Sequence, residues 1–255
     1  MDKKYWVPAL ERAHAVLQAI AEEPSRLKLM ELSKKLSINK STMFSLLHTL
    51  EALHWVVRDK ADTYSLGPVF ARFGSSYFQQ YSLVDHFHKE AIESMRGIGE
   101  TIQMGKLDGR DVFYLAKMDA PSPVRIASDP GMRFPAHATG LGKALLACLS
   151  DAEVDALYGR DEPLPQITPF SLTDKRSLLA ELERVRQDGY ACDLQESVIG
   201  FCCVAAPILD SDGQARAAVS FSMPQHLWEQ KKDAAREEIC GLAARLSLSN
   251  MRSNA

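Results

Sequence analysis

SRLKLMELSKKLSINKSTMFSLLHTLEALHWVVRDKADTYSL, residues 25–66, predicts two short amphipathic helices joined by a tight turn and followed by a small hairpin. In the first helix Leu29, Leu32 and Leu36 form one stripe, with Ser25 as the expected N-cap. Ser37-Ile38-Asn39 supplies the turn. The second helix begins near Lys40, and its Met43, Leu46, Leu47, Leu50 and Leu53 keep helical spacing and are expected to pack inward. The opposite face carries Lys40, Ser41, Thr42, Phe44, Ser45, His48 and Thr49. Small polar groups and donors at a helix start suit base edges and phosphates in the DNA major groove. Ser41 and Thr42 are candidate phosphate donors, and Phe44 is a candidate contact to a thymine methyl. Residues 55–58 and 63–66 read as strands about a turn at 59–62, a wing whose Arg58 and Lys60 can reach the backbone or minor groove. The competing reading is a three-helix bundle that only packs or binds protein. The short turn, the wing and the local charge favour DNA.

Upstream, a helix is expected from Pro8 to about Glu22, with Leu10, Ala13, Leu17 and Ile20 on one face. The whole chain, 255 residues, carries a formal charge of −3, which by itself argues against a nucleic-acid binder. The distribution reverses that argument. Residues 1–83 hold eleven Lys and Arg against eight Asp and Glu, a net +3, and the remainder carries −6. A basic module tied to an acidic partner domain is the result. No apolar run approaches the ~20 residues of a membrane span, and the N-terminus lacks a signal-peptide core, so no membrane partner and a cytoplasmic location are expected. Five cysteines without CxxC spacing read as reduced thiols.

Downstream, a helix over 68–81 places Phe70, Phe73 and Tyr77 on one side, and a second carries Val84, Phe87, Ala91, Met95 and Ile98. These aromatics suit either the chain's own core or a subunit interface. From Thr101 the period changes to that of strands, at 102–107 and 112–116 about an Asp108-Gly109 turn, then at 124–127, 203–209 and 216–223. Helices are expected at about 140–149, 151–158, 173–188 and 227–247. The mixture predicts an α+β domain with an antiparallel sheet. No internal repeat or low-complexity segment is present.

The pattern resembles the IclR family of bacterial transcription regulators over roughly residues 7–249. The resemblance lies in LSKKLSINKST (32–42), YSLG (64–67), PAHATGLGKALLA (135–147), GYACD (189–193) and GFCCVAAPI (200–208). It implies a winged helix-turn-helix domain (1–67), a linker helix (68–84) and a GAF-like effector-binding domain (85–255). It also implies a homodimer or homotetramer that binds double-stranded operator DNA under control of a small metabolite. A dimer suits DNA independently, because two recognition helices can read half-sites about 34 Å apart. Two positions depart from the family pattern: Ser45 stands where Arg is usual, and His54 where Gly is usual.

The resemblance further implies an effector pocket formed by Ile126, Phe134, Gly140, Leu141, Asp193, Cys203, Ser220 and Ser222. Three of these groups draw attention on their own chemistry. Thr139-Gly140-Leu141-Gly142 opens a helix, where backbone N–H groups attract anions and glycine admits close approach; an ordinary tight helix entry is the alternative. Ser220 and Ser222 share one face of a strand. Asp193 follows a helix ending near Gly189 and can accept from a ligand hydroxyl or cap a loop. Because Asp193 would repel a carboxylate, the expected effector is bifunctional. Its carboxylate points to Gly140-Leu141, and its hydroxyl or keto oxygen to Asp193 or the serines, as in a hydroxy-aromatic acid or a short oxo-acid. The rival readings are an enzyme using Cys202 or Cys203 with His137, or a zinc site of Cys192, Cys202, Cys203 and His137. The spacings favour neither, and no catalytic residue, metal or cofactor is expected.

Overall fold

A computed structural model describes residues 6–79, 82–122, 126–159 and 162–253, with side chains for all of these but 75, 77–79, 82 and 248–253. The chain divides into two compact units, residues 1–80 and 81–255.

In the first unit α1 (Pro8–Glu22) starts on proline, whose missing N–H costs nothing there. Ala13, Val16, Ala19 and Ile20 recur at three- and four-residue steps and are buried with Leu32, Met43, Leu47, Leu50, Val56 and Tyr64. Leu10, expected on that face, is 64% exposed; it lies in the first turn, ahead of the residues that join the core. α2 (Leu29–Lys35) and α3 (Lys40–Ala52) form the helix-turn-helix. Their turn passes through Ser37 in a left-handed conformation (φ 55°) and is closed by Ile38 N–H to the Ser33 carbonyl at 3.1 Å. Leu53 is not core: α3 ends at Ala52 and Leu53 is half exposed.

The wing is β1 (Val56–Arg58) paired antiparallel with β2 (Tyr64–Leu66). Asp59 shapes its turn by accepting from the amides of Ala61 and Thr63, both at 2.9 Å. Ser25 does not cap α2. Its amide donates to Tyr64 O and the Tyr64 amide to Leu27 O, while Lys28 bridges Thr63. Residues 24–26 form a turn in which Ser25 is left-handed (φ 58°), and Leu27 and Lys28 pair with the wing, so the helix begins only at Leu29. α4 (Val69–Gln79) completes the unit, with Phe73 half exposed; the side chain of Tyr77 lies outside the described residues.

The second unit is a six-stranded antiparallel sheet in the order β5-β4-β3-β8-β7-β6. The strands are β3 (Thr101–Asp108), β4 (Asp111–Met118), β5 (Arg133–Pro135), β6 (Ala191–Leu194), β7 (Phe201–Leu209) and β8 (Ala215–Pro224). α5 (Ser82–Ile98) and α9 (Gln225–Ser253) pack on each other and on the sheet. α6 (Gly140–Ala147) lies across β7, β8, β3 and β6, with α8 (Lys175–Asp188) over it. α7 (Asp151–Tyr158) adds Val154 and Tyr158 to the same core as α6 and α8. Helices on both faces explain why β8 is buried from Ala217 through Met223. The expected strand at 124–127 falls partly outside the described residues, and Ile126 and Ala127 are not strand. The short β5 and β6 escape a search by periodicity, since three or four residues give too few alternations.

Candidate functional site

α3 begins with a cap. The Asn39 side chain accepts from the Thr42 amide at 2.8 Å and from the Ser41 hydroxyl at 2.9 Å. Ser41 therefore gives its proton within the protein rather than holding it ready for a phosphate. Lys40, Ser41, Phe44, Ser45 and His48 are exposed, and Thr42 is half-buried. Phe44, 60% exposed, stacks parallel to His48 one turn on, with ring centroids 6.2 Å apart. Thr49 spends its hydroxyl on the Ser45 carbonyl at 2.8 Å. On the wing, Lys60 is exposed, whereas Arg58 faces Asp62 at 3.5 Å and Glu51 of α3 at 3.7 Å. A groove of about 370 Å³ runs between these elements, walled by Met30, Lys40, Phe44, His48 and Arg58 among others. His54 takes a left-handed conformation (φ 57°), the backbone state that glycine adopts without strain. Gly67 is fixed by contact: a Cβ there would stand 2.1 Å from the His54 carbonyl oxygen.

In the second unit the sheet register places one polar strip beneath the start of α6. Asp193 pairs with Cys203, and Cys203 with Ser222; Ser220 pairs with Gln103. Side chains of one strand face then converge from β6, β7, β8 and β3. The structure brings Ile126, Phe134, Gly140, Leu141, Asp193, Cys203, Ser220 and Ser222 to the wall of one cavity. Thr139 of the same helix start shares that wall, as do Gln103, Tyr114, Ser128, Ser197 and Val198, which the sequence reading does not single out. Gln103 had one usable signal, a neutral polar side chain inside the apolar run of β3. Ser197 and Val198 had none, because a loop carries no periodicity. The cavity measures about 10 Å³, room for no more than one water.

Its polar groups are partnered. The Ser222 hydroxyl donates to Gln103 Oε1 at 2.8 Å, and Ser222 also meets Cys203 Sγ at 3.1 Å; Gln103 Nε2 donates to the Ser128 hydroxyl. Asp193 accepts from the Glu196 amide at 2.6 Å and the Ser197 hydroxyl at 2.5 Å, so it caps its own loop. Burial raises the Asp193 pKa, against the Ser197 hydrogen bond and the charge of Lys143, which favour the carboxylate. Phe134 meets Tyr114 edge to face at 5.5 Å and supplies the apolar wall.

α6 is capped as α3 is: Thr139 Oγ1 accepts the Gly142 amide at 3.1 Å. Gly142 is required by packing, not by a ligand, since a Cβ there would lie 2.1 Å from Ala136 O. A Cβ on Gly140 would meet Ala205 at an ordinary 3.4 Å. The other two polar residues of this stretch point elsewhere. His137 is buried, with Nε2 on the Pro165 carbonyl at 2.9 Å, and desolvation lowers its pKa. Lys143, 1% exposed, pairs with Glu196 at 2.5 Å and Glu181 at 3.4 Å; the second Glu196 oxygen is buried with no hydrogen-bond partner among the described residues.

The chemistry of the thiols suits packing. Burial pushes Cys203 well above the ordinary thiol value and Cys202 up to about 11, with Asp193 adding to both. Cys203 meets the Ser222 hydroxyl, and the His137 ring is engaged by the Pro165 carbonyl. Among the described residues no three His, Cys, Asp or Glu side chains gather as a metal site.

Comparison with known proteins places these two units. The model for the IclR helix-turn-helix domain matches residues 9–60, and that for the bacterial transcriptional regulator IclR C-terminal domain matches residues 75–248. The HTH-type transcriptional regulator BhcR of Paracoccus denitrificans is 33% identical over 249 residues, covering 94% of this chain and 88% of that protein. The crystal structure of the Thermotoga maritima IclR superposes with a TM-score of 0.78 at 28% identity, covering 94% of this chain and 99% of that one. An IclR homologue from Microbacterium hydrocarbonoxydans, solved with 4-hydroxybenzoate, shares the fold (TM-score 0.79, 18% identity, 96% of this chain and 99% of that one). Among these relatives the named activity is regulation of transcription, not catalysis. The helix-turn-helix with its wing, and the covered sheet with its polar cavity, are thus the two halves of a DNA-binding regulator, and the chain belongs to the IclR family of bacterial transcriptional regulators.

Proposed function

We propose that the chain binds operator DNA as a cytoplasmic homodimer or homotetramer and that a small carboxylate in the second unit controls this binding. In this reading residues 1–67 are the DNA-binding domain, 68–84 the linker and 85–255 the effector domain. Phe44, Ser45 and His48 face the major groove, Lys40, Ser41 and Thr42 lie against its phosphates, and Arg58 and Lys60 reach the flanking backbone or minor groove. The effector carboxylate lies at the start of α6. The Thr139 cap uses the Gly142 amide, which leaves the first-turn amides of Gly140 and Leu141 as donors, aided by the helix dipole. A hydroxyl or keto oxygen at the other end meets Ser220, Ser222 or Asp193, with Cys203, Ile126 and Phe134 closing the sides.

The observation that carries this reading is the convergence of the α6 start and the polar strip from four strands on one small cavity. Its volume adds a mechanism. A cavity of about 10 Å³ admits an acid only if its walls part, so the occupied form differs from the empty one. A ligand that prefers one form shifts the population between them. Transmission through the linker to the spacing of the two winged domains then alters operator affinity. Titration calorimetry with a panel of short oxo-acids and hydroxy-aromatic acids tests the site. Binding by one class that is lost in Ser222→Ala and that changes retention of the chain's own upstream DNA supports the proposal. Absence of heat with every carboxylate overturns it.

A further inference from the structure

The exposed side of α3 has two rows of side chains, and one of them has its chemistry already committed. Ser41 donates to Asn39, and Thr49 donates to the Ser45 carbonyl. The other row is Lys40, Phe44 and His48, at four-residue steps. No arginine stands on α3, so the bidentate arginine–guanine contact that dominates major-groove readout is not available from this helix. Arg58 on the wing faces Glu51 and Asp62. The middle of that row is a hydrocarbon: the Phe44 ring, 60% exposed and held parallel to His48 with an interplanar angle of 6°. Met30, 58% exposed, lines the same groove. Two large apolar side chains exposed in one groove gain free energy when an apolar partner covers them. In the major groove one base offers such a group, the C5-methyl of thymine.

We infer that this regulator reads its operator chiefly through a thymine methyl, contacted by Phe44, with His48 as the positioning residue that holds the ring flat. The inference rests on the DNA-binding reading above and narrows it to a base. Lys40, in the first turn, is left for the phosphate backbone, where it fixes register without reading sequence.

Uracil tests this, since it keeps the pairing edge of thymine and lacks only the methyl. The full chain is used to select a duplex from a randomised library, and each thymine of that duplex is then replaced in turn by uracil. One position per half-site is expected to weaken binding roughly fourfold, the worth of one buried methyl. Phe44→Ala is expected to bind the thymine and uracil duplexes equally, and Phe44→Leu to keep part of the difference; His48→Ala should reduce the discrimination without abolishing it. A selected duplex that tolerates every uracil, or a Phe44→Ala variant with undiminished thymine dependence, overturns the inference alone. Failure to select any duplex overturns the DNA-binding reading and the inference with it.

Discussion

α3 and α6 start the same way and end up with opposite fates. In each, the residue before the helix uses a side-chain oxygen to take an amide of the first turn: Asn39 for Thr42, Thr139 for Gly142. Yet α3 exposes one whole side, whereas every residue of α6 is buried between the sheet and α8. The cap fixes where a helix begins and says nothing about what that beginning meets. At α3 the solvent face is free to carry side chains toward a macromolecule. At α6 the covering layers leave only backbone and small side chains at the helix start, which suits a ligand of a few atoms.

Five experiments press on this contrast, from the strongest expected effect to the weakest. Gly142→Ala drives a Cβ into the Ala136 backbone and should cost the second unit on the order of 3 kcal/mol or more, in the range of severe overpacking. Gly140→Ala should stay within about 1 kcal/mol of the parent in thermal unfolding. Equal damage from both would show that the α6 start is tight throughout, with no space shaped for a ligand. Lys143→Met strands a buried Glu196 carboxylate and is expected to lose about 3–5 kcal/mol in urea titration, as when one partner of a buried pair is removed. Lys143→Met with Glu196→Leu should recover much of that loss.

The caps themselves separate next. Thr139→Ala, at a buried position, is expected near the upper end of the roughly 0.5–2 kcal/mol range for N-caps, and Asn39→Ala, at an exposed one, near the middle. Reversal of that order would mean burial does not amplify the cap. Asp193 adds a pH dependence. Burial raises its pKa in the folded chain, so the fold retains a proton that the unfolded chain has released. The stability linked to that proton is complete below the unfolded carboxylate value of about 4 and is lost as pH rises through the raised value. Urea titrations at a series of pH values should therefore show a shallower decline for Asp193→Asn. Glu196, raised by the same burial, keeps part of the slope. Finally, Phe44→Ala should leave the melting of the first unit unchanged within about 0.5 kcal/mol, since its ring is mostly in solvent; a larger loss would make Phe44 a structural residue.

The first unit was readable to within a few residues because its signals are local. The leucine stripes of α2 and α3, the Ser37-Ile38-Asn39 turn and the turn at 59–62 each act over at most a few residues. Where the reading failed, a distant partner intervened: Ser25 bonds to Tyr64 of the wing and does not cap α2. In the second unit the alternation that put Ser220 and Ser222 on one face was also local and correct in the fold. Of the two roles the sequence left open for Asp193, ligand acceptor or loop cap, the hydrogen bonds to the Glu196 amide and the Ser197 hydroxyl supply the cap.

The sequence by itself determined the helices, the hairpins and the shared face of Ser220 and Ser222, because those depend on neighbours in the chain and on the geometry of one element. Tertiary structure alone decided that Gln103 meets Ser222 across 119 residues, that Lys143 is a buried ion and that a cavity opens beside Gly140. These depend on the order in which the sheet stacks its strands and on which layers cover it. Strand order and burial are properties of the assembled domain, set by the summed packing of all its layers and written in no single segment.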